Sequence, residues 1–109
     1  MTKPEVIRLH QLAIACFDDI QAYQQLYAIF HPSLLQFAIA ILKSKESAEE
    51  IVSDVFIRIW QKRNQLDKIE NLRFYLFTAV KNHAINELHK QKKNSSISFD
   101  EVAIEFRSI

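Results

Sequence analysis

Apolar residues recur at three- and four-residue steps along most of this chain, and the steps divide it into four helical stretches. Val6, Ile7, Leu9, Leu12 and Ala13 predict a first helix over about 4–15. Thr2 and Glu5 stand at capping-box spacing before it, and Pro4 is tolerated in a first turn. Phe17-Asp18-Asp19 breaks the pattern, and either acid can cap a second helix. Ile20, Tyr23, Leu26, Tyr27, Phe30, Leu34, Phe37, Ala38, Ile41 and Leu42 predict that helix over about 19–42. Pro32 falls inside it, where a lost hydrogen bond costs about 3 kcal/mol. One bent helix is expected, with two helices broken near His31 as the alternative. KSKES (43–47) reads as a polar connector. Ser47, with Glu50 three residues on, is expected to cap a third helix whose apolar face is Ala48, Ile51, Val52, Val55, Ile59 and Trp60. Residues 64–70 read as a loop. Asn71 can cap a fourth helix striped by Leu72, Leu76, Ala79, Val80, Ala84 and Leu88, and NSSIS (94–98) reads as a turn-like break after it.

Composition narrows the fold. There is no glycine, and only Pro4 and Pro32. Tight turns between strands usually need glycine at positive φ, so an all-α fold is expected, a compact bundle of about four helices. One domain is expected over 1–94, with 95–109 as a linker or tail. The lone Cys16 has no partner for an internal disulfide; it reads as a small buried residue and fits a reducing cytoplasm. No signal peptide and no uninterrupted apolar run of about 18 residues is seen, so no membrane insertion is expected.

The overall charge of +1 says little, but its distribution says more. Lys81, Lys90, Lys92 and Lys93 face only Glu87 within 81–93, whereas Glu46, Glu49, Glu50 and Asp54 have no cation among them within 46–54. Two partners of opposite character would suit such an asymmetry.

Enzyme chemistry finds little support. A phosphate-binding glycine loop cannot form without glycine. His83 and Glu87 are one turn apart, but His89 is off that face, which makes a poor metal site; a partly buried or DNA-facing histidine is the plainer reading. No cofactor or metal is implied. The fourth helix is different. Phe74, Phe77, Lys81 and Ile85 share a side distinct from the leucine stripe, and Tyr75 adds a third ring. Either this helix is buried on both sides, or the rings are left out to stack on bases. Asn82 and Asn86 are one turn apart and can point the same way, as amides that read base edges do. Lys90, Lys92 and Lys93 come next, suited to phosphates.

SAEEIVSDVFIRIWQKR, a short loop and LRFYLFTAVKNHAINELHKQKK together resemble the second conserved region of bacterial sigma factors. The likeness is to the extracytoplasmic-function (ECF) group of the sigma-70 family. The upstream YQQLYAIFHPSLLQFAIAIL resembles that group's entry helix, proline included, so the likeness covers about residues 17–93. It implies a cytoplasmic, non-enzymatic domain that binds core RNA polymerase, recognises the promoter minus-ten element and captures its melted non-template strand. Asp54, Val55, Arg58, Ile59, Trp60 and Gln61 would meet the clamp helices of the polymerase β′ subunit. Ser53 departs from the glutamine common there. The loop from about Leu66 to Leu72 would hold a flipped-out base, with Ile69, Glu70, Asn71 and Leu72 as its wall. Phe74 and Tyr75 would support strand capture; Lys81, Asn82 and Asn86 would face the strand, and Lys90, Lys92 and Lys93 its phosphates. Asn86 stands where an acid is common. The resemblance also implies a second DNA-binding domain, which this chain ends too early to include, and an anti-sigma protein as a further partner; a monomer bound to polymerase is expected. A helical interaction module without a nucleic-acid role is the alternative reading of the same composition.

Overall fold

The computed structural model describes residues 3–98, and their side chains through Lys92. Four helices follow one another: α1 (Pro4–Phe17), α2 (Ile20–Leu42), α3 (Lys45–Gln61) and α4 (Leu72–Ser98). A 3₁₀ turn, Arg63–Lys68, lies where a plain loop is expected. It forms because Leu66 must turn inward, where it is almost wholly buried.

The linking devices explain how the chain turns without glycine. α1 ends on Asp18 and α2 on Lys43, both in the left-handed region at φ 53° and φ 57°. Each donates its backbone N–H to the carbonyl four residues back, Asp18 to Ile14 and Lys43 to Ile39. Asp19 caps α2 by accepting from the N–H groups of Gln21 and Ala22 at 3.0 and 3.1 Å. Arg63 fixes this corner to the end of α3: Nε donates to Asp18 Oδ1 at 2.8 Å, Nη1 donates to the Trp60 carbonyl at 2.9 Å, and the guanidinium lies 4.4 Å from the Trp60 ring centroid.

Several expectations at helix ends are corrected. α1 starts after Lys3, which supplies no side-chain cap, and Thr2 lies outside the described residues. α3 starts one turn early: Ser44, not Ser47, is the cap, its Oγ accepting from the Ser47 N–H at 3.2 Å. The left-handed Lys43 reverses the chain at once, so the connector is two residues long. α4 continues through the NSSIS segment to Ser98.

α2 is one uninterrupted helix across Pro32. Pro32 has no N–H to give the Ala28 carbonyl; both residues are exposed, so water can take that acceptor. Ala22, Leu26, Phe30, Leu34, Ala38 and Leu42 form its buried stripe. By length and composition alone α2 is apolar enough to cross a membrane, a test that the core helix of a soluble bundle also meets. Its apolarity has a use in the bundle, because α2 packs against α1, α3 and α4 together. From α3 come Ala48, Ile51, Val52, Val55, Phe56 and Ile59; from α4, Leu72, Leu76, Val80 and Ala84. Cys16 is exposed, not buried as expected, because Ile7, Gln11 and Ile14 occupy the inner face of α1.

Candidate nucleic-acid interface

The two exposed faces follow from helical phase. On α4 the core stripe Leu72, Leu76, Val80 and Ala84 fixes the opposite side as solvent-facing. Phe74 and Tyr75 lie there, 69% and 44% exposed. Two neighbouring aromatic rings left outward beside a cavity call for a partner. Phe77 behaves differently. It is half-buried, its ring edge-on to Phe37 with centroids 5.2 Å apart. The two alternatives for these rings are thus divided: two turn outward and one closes the α2–α4 seam.

Asn71 places the start of this helix. Its Oδ1 accepts from the Phe74 N–H at 3.1 Å, which makes it a cap as well as a wall residue. Ile69, Asn71, Phe74, Tyr75, Thr78, Ala79, Asn82 and His83 line an open cavity of about 500 Å³. A second cavity, of about 330 Å³, adjoins it through Ile69, Tyr75, Ala79 and His83. Arg58, Lys62 and Lys68 line this second part, over a floor that includes Val55, Ile59 and Leu66. Together they form one groove, neutral and amide-bearing at the Asn82 end and cationic at the Lys62 end.

Of the expected strand-facing residues, Ile69, Asn71, Phe74, Tyr75 and Asn82 meet in the groove. Leu72 does not: it is 3% exposed and belongs to the core. Its place on the wall is corrected by phase, since the cap residue Asn71 faces out and the next residue must face in. Glu70 is exposed but outside the groove lining; Lys81, Asn86, Lys90 and Lys92 are exposed on α4 beyond it. The Lys93 side chain lies outside the described residues. His83, expected to be partly buried or DNA-facing, is half-buried in the groove lining, whereas nothing in the sequence singled out Thr78, Ala79, Lys62, Gln65 and Lys68 for it. Thr78 and Asn82 are one turn apart on the outward side, so the period that exposes Phe74 could have found them.

His83 is joined to α3. Arginine can only donate, so Arg58 Nη1 gives its proton to His83 Nε2 at 3.1 Å, and the imidazole carries its own proton on Nδ1. Arg58 therefore turns toward the groove. Among the described residues it has no carboxylate in ion-pair reach, and neither do Lys62 and Lys68.

The outer face of α3 also differs from expectation. Val55 and Ile59 are buried, and Trp60 is half-buried against Tyr23, with centroids 4.9 Å apart. Val55 and Ile59 cannot form a docking face without unpacking the core, while Trp60 keeps part of its ring outward. Asp54 and Gln61 are outward, with Glu46, Glu50 and Ser53. At their centre is Ile57, 52% exposed, which the linear motif did not single out. Helical phase could have done so, because Ile57 lies opposite the Val52/Val55/Ile59 stripe.

Comparison with known proteins bears on both faces. The family profile described as sigma-70 region 2 matches residues 26–94. A curated relative is the ECF RNA polymerase sigma factor SigX of Bacillus subtilis (strain 168), 25% identical over 72 residues that make up 66% of this chain. The chain spans 37% of that relative's length. No solved structure matches the chain.

Proposed function

The chain belongs to the sigma-70 region 2 family, and from that premise we propose that it is the part of an ECF-type transcription initiation factor that joins core RNA polymerase to a melted promoter. The polymerase β′ clamp helices dock on the outer face of α3. One strand of the minus-ten element lies along α4, with a flipped base in the groove beside Ile69, Tyr75 and Asn82. The domain is not an enzyme, and it acts where the transcription machinery is, in the cytoplasm.

The observation that carries this reading is the pair of outward rings, Phe74 and Tyr75, sharing a cavity with the amides of Asn71 and Asn82. Taking a base out of its stack costs a few kcal/mol. Stacking on an aromatic side chain returns about 1–3 kcal/mol per base. One ring nearly balances the loss, and the amides can then decide which base is held. The exposed lysines of α4 add affinity without sequence preference. On α3, Ile57 within a ring of polar and acidic groups suits an anchor inside a polar rim.

Binding of the chain to a β′ clamp-helix fragment and to a panel of single-stranded oligonucleotides tests this. Ile57→Asp should weaken clamp-helix binding by about 2 kcal/mol and leave oligonucleotide binding as it was. Asn82→Ala should change the preferred base and leave clamp-helix binding as it was. Clamp-helix binding with no oligonucleotide binding at any salt concentration would leave only a helical interaction module.

A further inference from the structure

Gln11 is the one buried polar side chain among the described residues, 2% exposed and set between Ile7 and Ile14 on the inner face of α1. A leucine or methionine would fill that space, and packing alone gives no reason for an amide there. Its Nε2 donates to the Leu66 carbonyl at 3.0 Å and to the Ile69 carbonyl at 2.8 Å. Both amide hydrogens thus go to the segment that leads into α4, across 55 and 58 residues of sequence. Arg8, one turn earlier, reaches the same Ile69 carbonyl with Nη1 at 3.5 Å. The Leu66 carbonyl also accepts the Ile69 N–H at 3.3 Å, so the turn is closed and then held from outside. Ile69 is the wall shared by both parts of the groove.

We propose that Gln11 is a positioning residue for base selection: through two hydrogen bonds, one buried and one partly buried, α1 sets where Ile69 stands, and hence which base the groove accepts. The inference rests on the reading of the groove as a base pocket. α1 precedes the stretch matched by the family profile, which begins at residue 26, so nothing in that match assigns α1 a part in recognition. The physical reason for such a device is precision. A six-residue 3₁₀ turn, Arg63–Lys68, has few bonds of its own. A recognition wall must be held to about 0.5 Å for a neighbouring amide to tell bases apart. Two hydrogen bonds from one buried side chain to carbonyls three residues apart give that restraint, whereas water-facing ones would exchange freely.

The test uses the 109-residue chain with Gln11→Met, which keeps the shape and removes the donors. Three quantities are read: hydrogen exchange of the amides at 69–71, affinity for the clamp-helix fragment, and affinity for short single strands carrying each of the four bases at the captured position. In the wild type, the best and worst bases should differ by roughly tenfold or more. Gln11→Met should exchange faster at 69–71, bring that ratio to within about threefold, and keep both clamp-helix affinity and the salt dependence of strand binding. If the variant lacks a cooperative melt, Arg8→Ala decides instead; Arg8 is exposed, and its loss should lower the ratio in the same direction by about twofold. An unchanged ratio in both variants overturns the proposal. So does a loss of clamp-helix affinity and strand affinity together, which marks general loosening. A wild-type protein with no base preference overturns the base-pocket reading, and this inference with it.

Discussion

The phenol of Tyr23 donates to the Phe56 carbonyl at 2.7 Å, and its ring meets Trp60 on the same side of α3. Tyr23→Phe removes only the oxygen, leaving a partly buried carbonyl short of a donor. The expected loss is about 0.5–1.5 kcal/mol in urea denaturation near neutral pH. Burial first, and then the neighbouring Tyr27, push this phenol above the ordinary tyrosine value of 10.0. A folded-state pKa above the unfolded one stabilises fully below about pH 10 and is lost as pH rises through the folded value. The stability of Tyr23→Phe should therefore fall less steeply than that of the wild type above about pH 10, and equal slopes would contradict this account. Residues of this kind were only partly legible. α1 is apolar on most sides, so its period could not choose between Val6, Leu9 and Leu12, which are exposed, and Ile14, which is buried. Gln11 was invisible for a plainer reason: nothing in the local sequence reveals a hydrogen bond closed across 55 residues. Val55 and Ile59 were read by motif, and the motif carries core and surface positions alike.

Helix identity and order were legible from spacing, and the ends were not. Two serines, Ser44 and Ser47, compete to cap α3, and each has a plausible local partner. The earlier one wins because starting there lets the Ala48 N–H donate to the Ser44 carbonyl at 3.0 Å and places Ala48 wholly in the core. Ser44→Ala should cost about 1 kcal/mol. Ser47→Ala should cost less, since its hydroxyl only accepts from Gln91 Nε2 at 3.3 Å. The reverse order in thermal melts would place the cap where the sequence pattern put it. The left-handed ends supply a sharper case. Lys43 at φ 57° carries a side chain in a conformation that costs a non-glycine residue about 1–2 kcal/mol. Lys43→Gly relieves this and gives back roughly 0.5–1 kcal/mol in unfolded-chain entropy. The net gain should lie between zero and about 1.5 kcal/mol. Asp18 has the same backbone but also accepts the Arg63 Nε–H at 2.8 Å, so Asp18→Gly should gain less than Lys43→Gly.

At the scale of the whole molecule, α3 and α4 pack on α2 and on each other, yet their outward faces differ in charge. The acids of α3, Glu46, Glu50 and Asp54, flank Ile57 on one surface; Lys81, Lys90 and Lys92 are exposed along α4, Lys90 on the side opposite the other two. This division was visible as charge blocks in the sequence, whereas the groove was not, because its lining comes from α3, the 3₁₀ turn and α4 together. The division has a measurable consequence in salt. A single strand that meets Z cations binds with a slope in log–log salt plots of about −0.7Z. Lys90 and Lys92 are exposed and lie past the groove, so they are expected to meet phosphates and no base. Replacing both with glutamine should flatten the slope by about 1.4, weaken every oligonucleotide alike, and keep the ranking of bases. Glu50→Gln on α3 should leave the slope unchanged, because the slope counts cations held on phosphates and Glu50 holds none. A slope that responds equally to the α3 acid and the α4 lysines would mean that the strand crosses both surfaces, and polymerase and DNA would then compete for one face instead of occupying two.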